Sequence, residues 1–162
     1  MAIQAFSESL PMMLYRALDT VMPPFRRIFN EFGLTEQQWR VLRVLWEQDA
    51  ASHRELAALT LIPAPSLVGV LDRLAANGLI ARVRSDADRR HVHIRLTAAG
   101  RALEETVMPR VAEIYAELAR SLDRDTWQQL AAGLAQLAGC EPPTTTTHAR
   151  RRRRTSRTGE TA

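Results

Sequence analysis

Gly78-Leu79-Ile80-Ala81-Arg82-Val83-Arg84-Ser85-Asp86-Ala87-Asp88-Arg89-Arg90-His91-Val92-His93-Ile94-Arg95-Leu96-Thr97 decides the fold. Ile80, Arg82 and Arg84 alternate with Leu79, Ala81 and Val83, while Val92, Ile94 and Leu96 alternate with His91, His93 and Arg95. A period of two in each run is that of half-buried strands, so the spacing predicts a β-hairpin. Its turn, Ser85 to Arg90, mixes acids with arginines and holds no apolar residue larger than Ala87. Nothing there can anchor the tip to a core, and an arginine-bearing tip in solvent calls for an anionic partner.

Immediately upstream, Leu67, Val70, Leu71 and Leu74 recur at helical spacing between Pro63-Ala64-Pro65 at the entry and Asn77-Gly78 at the stop. The opposite face is read as Ser66, Gly69, Asp72 and Arg73. Further back, Ser52-His53-Arg54-Glu55 is a capping box that opens a short helix carrying Leu56, Ala57 and Leu59 and ending at Thr60 to Ile62. Helix, turn, helix and hairpin in that order predict a winged helix-turn-helix. A helix with small polar outer residues can lie on base edges in the major groove, and an arginine-tipped hairpin can reach the adjacent minor groove.

Charge supports the same partner. Residues 52 to 97 hold 7 arginines against 4 acids, residues 1 to 51 hold 5 against 6, and residues 98 to 138 hold 4 against 6. The expected lobe is thus the positive face, as phosphate binding requires. The net excess of +4 lies in residues 139 to 162, with 6 arginines and 2 acids. That tail begins with Pro142-Pro143 and four threonines, holds Arg150 to Arg154, and is expected to be disordered because it cannot bury enough apolar surface to fold. Its arginines are either solvated or a sequence-independent arm on phosphates. The chain contains no lysine; arginine suits bidentate phosphate and guanine contacts.

On either side lie longer helical patterns. Leu10, Leu14, Ala17, Val21, Phe25, Ile28 and Phe32 mark a long amphipathic helix, which Pro23-Pro24 is expected to kink or interrupt. Thr35-Glu36-Gln37-Gln38 is a second capping box, ahead of a core helix with Trp39, Leu42, Leu45 and Trp46 on one face. After the hairpin, Thr97 is expected to cap a helix striped with Leu103, Val107, Val111, Ile114, Leu118 and Leu122, bent at Pro109. Asp123 opens another, with Trp127, Leu130, Leu134 and Leu137 on one face. A small winged helix cannot cover all these stripes, so the first helix and the last two read as a second layer packed on its copy in a homodimer. Two-fold symmetry then implies a pseudo-palindromic operator.

The 162 residues amount to about one domain, and 46% hydrophobic content is ample for a core. No run of about 18 apolar residues and no basic-then-apolar leader occurs, so a cytoplasmic protein with no membrane partner is expected. Cys140 is the one cysteine, which excludes an internal disulfide or a cysteine-based zinc site. His91 and His93 share a strand face but have no evident third ligand, so no metal site is expected. No nucleophile or carboxylate pair stands in a catalytic arrangement, so the chain is expected not to be an enzyme and to need no cofactor.

Asp88-Arg89-Arg90 followed by Leu96-Thr97-Ala98-Ala99-Gly100, with this order of helices, resembles the MarR family of bacterial transcriptional regulators over roughly residues 7 to 138. Leu34 to Arg43 and Pro65 to Arg73 are similar to its HpaR-like branch, regulators of homoprotocatechuate degradation operons. The resemblance implies a mainly α fold with a small β-wing, spanning 1-138. Its DNA-binding lobe would cover about 34-97 and its helical dimerisation layer about 7-33 and 98-138. It implies a repressor of genes for aromatic or heteroaromatic acid breakdown, released from DNA by a small aromatic carboxylate.

On the same grounds Ser66, Gly69 and Arg73 would face the major groove, and Arg89 and Arg90 would form the wing tip with Asp88 as orienting partner. Arg73 could instead pair with acids on its own helix. The effector pocket would draw on Ser9, Met13, Tyr15, Arg16, Trp39, Arg40 and Arg43. Arg16 would anchor the carboxylate, unless it pairs with Asp19 or a partner-subunit acid. Branch members often carry a second arginine two places on, where this chain has Leu18. The competing reading is a winged-helix protein-interaction module whose DNA affinity is non-specific and driven by the tail.

Overall fold

The computed structural model describes residues 5–48, 50–84 and 92–140. The chain divides into two compact units, residues 1–120 and 121–162. In the first, a single 3-10 turn, Phe6–Glu8, precedes α1, Leu10–Glu31. Sequence reasoning expects Pro23-Pro24 to kink or interrupt this helix; it runs through both without a break. Two amide donors are lost, which leaves the carbonyls of Asp19 and Thr20 without helical partners. Both residues are exposed, so water can serve those carbonyls.

α2, Glu36–Glu47, opens on the expected capping box: the Gln38 amide donates to Thr35 Oγ1 at 3.2 Å and the Thr35 amide donates to Gln38 Oε1 at 2.8 Å. The second box behaves alike at α3, His53–Thr60, where the Glu55 amide donates to Ser52 Oγ and the Ser52 amide to the Glu55 carboxylate at 2.7 Å. That backbone hydrogen bond holds the Glu55 carboxyl below its ordinary range. α4, Ala64–Ala76, follows the turn, and Leu67, Val70, Leu71 and Leu74 are its buried residues, as their spacing requires.

The hairpin consists of β2, Ile80–Arg84, and β3, Val92–Leu96, paired antiparallel from Ile80↔Leu96 to Arg84↔Val92. Only Ile80 on β2 is buried, with Ile94 and Leu96 opposite. Half-burial thus holds at the base of the hairpin and fails beyond it, where Arg82 and Arg84 continue the inward face past the edge of the core. A short strand not expected from sequence, β1, Ala51–Ser52, pairs with β3 and gives the order β1-β3-β2. Two residues are too few to show a period. One continuous core joins α1, α2, α3, α4, the sheet and α5, with Leu42, Leu56, Leu67, Leu74, Val70 and Val107 at 0% exposure.

α5, Ala98–Ser121, explains Leu96-Thr97-Ala98-Ala99-Gly100 physically. Thr97 Oγ1 accepts from the Gly100 amide at 3.1 Å and donates to the Gly78 carbonyl at 2.6 Å, tying the helix start to the end of α4. A Cβ on Gly100 would sit 2.2 Å from the Leu79 carbonyl oxygen, so only glycine fits. Trp46 of α2 closes this corner by donating Nε1–H to the Gly100 carbonyl at 3.0 Å. Like α1, α5 passes its proline, Pro109, unbroken.

In the second unit, α6, Arg124–Ala138, starts at the expected cap: Asp123 accepts from the amides of Asp125 and Thr126. Its Trp127, Leu130, Leu134 and Leu137 are exposed by 37 to 59%. The expected disordered tail, 139-162, lies outside the described residues from 141 onward, including Arg150 to Arg154.

Candidate nucleic-acid interface and effector site

α4 turns its four leucine and valine anchors inward and thereby fixes what faces out. Ser66, Asp72 and Arg73 are exposed and Gly69 is half-exposed, as expected. The outward surface is broader than the sequence suggested, because Pro65, Val68 and Ala76 are exposed too. Arg73 lies back along the helix: a Cβ on Gly69 would meet its Nη1 at 3.7 Å. Gly69 therefore keeps the centre of the outward face flat beneath a guanidinium.

The helix's one carboxylate is already engaged. Arg82 of β2 donates to Asp72 Oδ1 at 2.6 Å, with both side chains about half exposed. An exposed pair contributes about 0–1 kcal/mol to stability, so its consequence is mainly orientation. It ties the wing base to α4 and neutralises the acid that would repel phosphate. Arg73 forms no ion pair among the described residues, and the one acid of its helix, Asp72, is held by Arg82. Asp88, Arg89 and Arg90 lie outside the described residues. Arg82 is the partner of α4 that sequence reasoning missed. Its place on the inward-facing stripe of β2 was visible, but not that Asp72 would meet it.

On the other side of the lobe, α2 carries a charged stripe at i, i+4, i+7 and i+11. Arg40 donates to Glu36 at 2.6 Å and reaches the Thr60 carbonyl at 3.4 Å. Arg26 of α1 adds a 3.5 Å contact to Glu36. The Arg40 hydrogen bond, with the charge of Arg26 beside it, holds the Glu36 carboxyl below its ordinary value, against the opposing effect of partial burial. Arg43 donates to Glu47 at 2.7 Å and touches Met108 Sδ at 3.4 Å.

The seven residues expected to hold an effector are therefore divided. Trp39 is buried, stacked on Phe29 at 4.7 Å between centroids and edge-on to Trp46 at 5.3 Å. One turn on, Arg43 links α2 to Met108 of α5 while paired with Glu47. Tyr115 of α5, missed from the sequence, meets Phe25 edge-on at 5.3 Å and remains 54% exposed, so that Trp39, Phe29, Phe25 and Tyr115 form an aromatic row across α2, α1 and α5. Arg40 is committed toward Thr60 instead. Ser9 donates Oγ–H to the Phe6 carbonyl at 2.7 Å. Met13, Tyr15 and Arg16 are exposed on α1, and Arg16 forms no ion pair with Asp19. Within one chain the set is split between the exposed first half of α1 and the residues of α2.

Comparison with known proteins places the geometry. The MarR family model matches residues 34–92, from just before α2 to the first residue of β3. The chain is 36% identical over 141 residues to the HTH-type transcriptional regulator FarR of Neisseria gonorrhoeae, covering 87% of this chain and 97% of that protein. It is 35% identical over 123 residues to the homoprotocatechuate degradative operon repressor of Escherichia coli, covering 76% and 83%. Among solved structures, the crystal structure of NadR in complex with 4-hydroxyphenylacetate superposes with a TM-score of 0.72 at 36% identity. That match covers 87% of this chain and all of the other.

Proposed function

This chain belongs to the MarR family of transcriptional regulators, a non-enzymatic family of DNA-binding, effector-responsive dimers, and from that premise we propose its particular task. It represses genes for the breakdown of aromatic or heteroaromatic acids and leaves a pseudo-palindromic operator when a small aromatic carboxylate binds. The observation that carries the DNA half is α4, whose one carboxylate is tied down by Arg82 while Arg73 stays available. Ser66, Gly69 and Arg73 read the major groove, and Arg89 and Arg90, oriented by Asp88, enter the minor groove. The dimer layer is formed by residues about 7-33 and 98-138, which brings two recognition helices to one side of the duplex.

The effector half draws its support from the aromatic row Trp39–Phe29–Phe25–Tyr115 and from the Arg43–Met108 contact. An aromatic acid needs an apolar slot and a donor for its carboxylate. Arg16 of α1, exposed and without an ion pair to Asp19, anchors the carboxylate, Ser9, Met13 and Tyr15 close the slot, and Arg43, which also pairs with Glu47, is a second donor beside Met108. Arg40 contributes by holding the start of α2 to the end of α3. The E. coli relative is a degradative operon repressor and NadR was captured with 4-hydroxyphenylacetate, both in keeping with an aromatic acid. The effector shifts the DNA-competent state only by its differential affinity for the two arrangements of the lobes.

Sequencing genomic fragments bound by the full-length protein at moderate salt tests this reading. One or a few pseudo-palindromic promoter sites are expected, and aromatic acids processed by the adjoining genes should release them. Recovery of unselected fragments alone, with none bound by a chain ending at Ala138, would favour the tail-driven interaction module instead. Arg89→Ala with Arg90→Ala should keep the dimer and weaken specific binding. Arg43→Ala and Arg16→Ala should lose release while retaining DNA.

A further inference from the structure

Leu61 closes the helix-turn-helix turn in a conformation that suits it poorly. It follows α3 with φ 55° and ψ 30°, and it is the one non-glycine residue with positive φ among those described. Left-handed backbone crowds Cβ against the following carbonyl, so folding alone favours glycine or asparagine there. Its side chain is 82% exposed, so packing gives nothing back for the strain. The turn is fixed from both sides. Arg40 donates to the Thr60 carbonyl, Thr60 Oγ1 donates to the Leu56 carbonyl at 2.6 Å, and Ile62 is buried at 2% exposure. The surroundings over-determine the backbone and hold the leucine outward, a pattern that strained residues show at functional sites.

Leu61 stands three residues ahead of Ala64, the first residue of α4. In helix-turn-helix docking that N-terminal end contacts base edges in the major groove. Pro65 and Val68 are exposed on the same end, so the entry of the helix is apolar where its later part carries Asp72 and Arg73. Major-groove base edges offer a single apolar group, the C5-methyl of thymine. We infer that Leu61 is a base-reading residue whose exposed side chain packs on a thymine methyl in each operator half-site. This rests on the operator-binding reading above and adds to it a specificity that no polar side chain supplies.

The test uses full-length protein and the operator recovered by genomic selection, with each thymine replaced in turn by deoxyuridine, which deletes only the methyl. Wild-type affinity, read by fluorescence anisotropy, should fall about 4-fold at one thymine per half-site, the worth of one buried methyl. In Leu61→Asn and Leu61→Gly that dependence should vanish and operator binding should weaken. The thermal midpoint should stay at or above wild type, because the backbone strain is relieved. Opposite signs for affinity and stability separate a lost contact from a damaged fold. The absence of any methyl-sensitive thymine, or the same sensitivity in wild type and variants, would overturn the inference while leaving the regulator intact. Failure of the wild-type chain to select any site would overturn the regulator reading, and this inference with it.

Discussion

Helix α4 hides Leu67, Val70, Leu71 and Leu74 at 1% exposure or less, whereas the first half of α1 leaves Leu10 at 45%, Met13 at 50% and Leu18 at 54%. Both helices are amphipathic, so pattern does not separate them; what differs is whether the partner surface lies in the same chain. Burying one such side chain is worth about 1.5–3 kcal/mol, so α4 gains its stabilisation within a single chain. The start of α1 can gain the same only by meeting another apolar surface, and contiguous exposed apolar side chains mark interaction sites. The core around α4 is closed within one chain, with Phe29 of α1 and Val107 of α5 contributing to it, whereas the start of α1 keeps an apolar surface uncovered.

The contrast can be broken by experiment, most forcefully in the lobe. Leu74→Ala, at a site with 0% exposure, should lower unfolding free energy by about 2–5 kcal/mol in chemical denaturation, through lost transfer energy plus the cavity. A smaller loss would mean that α4 depends less on its own chain than its burial implies. Gly100→Ala comes next, at about 1–3 kcal/mol of overpacking, because the new Cβ must displace the Leu79 carbonyl. Ser52→Ala removes a cap and should cost about 1 kcal/mol. Leu10→Asp with Leu18→Asp should leave the stability of each chain within about 0.5 kcal/mol, as exposed positions do. The same pair should turn the dimer into monomers in sedimentation and abolish operator binding; an intact dimer would move the association surface away from α1.

Acid sharpens the comparison from another side. Glu36 and Glu55 both have carboxyls held below the ordinary value, by the Arg40 side chain and the Ser52 backbone respectively. A folded-state pKa lower than the unfolded one contributes stability that is fully present above the unfolded value and is lost as pH falls through the folded one. The thermal midpoint should therefore drop as pH falls below about 4.5, the ordinary value for these groups. Glu36→Gln should flatten part of that decline, and an unchanged acid limb would show that the Arg26–Glu36–Arg40 contacts add nothing to the lobe.

Legibility in the sequence followed the range of each interaction. Both capping boxes, the Asp123 cap and the inward residues of α4 were readable because they depend on neighbours three or four positions apart. β1 was not, since Ala51 and Ser52 acquire strand character only by meeting Ile94 and His93. Proline was legible only in part, for a related reason. Pro23-Pro24 carries a local penalty, yet α1 continues because Phe25, Ile28 and Phe29 just beyond are held in the core. The expected effector set was sorted the same way. Arg40 and Arg43 look equivalent in sequence, three residues apart on one helix. Only the arrival of Thr60 at one and Met108 at the other distinguishes them.

The sequence by itself determined the order of the helices and the hairpin, the positive charge of residues 52 to 97, the family and the inward residues of α4, through local periodicity, local capping, motif or composition. Tertiary structure alone decided that Arg82 would occupy Asp72, that Gly100 must yield to the Leu79 carbonyl, and that Leu61 would be pinned outward on strained backbone. The physical reason is that each of these depends on where a distant segment packs. A side chain's partner is set by the fold that brings two surfaces together, while its propensity is set by the few residues beside it.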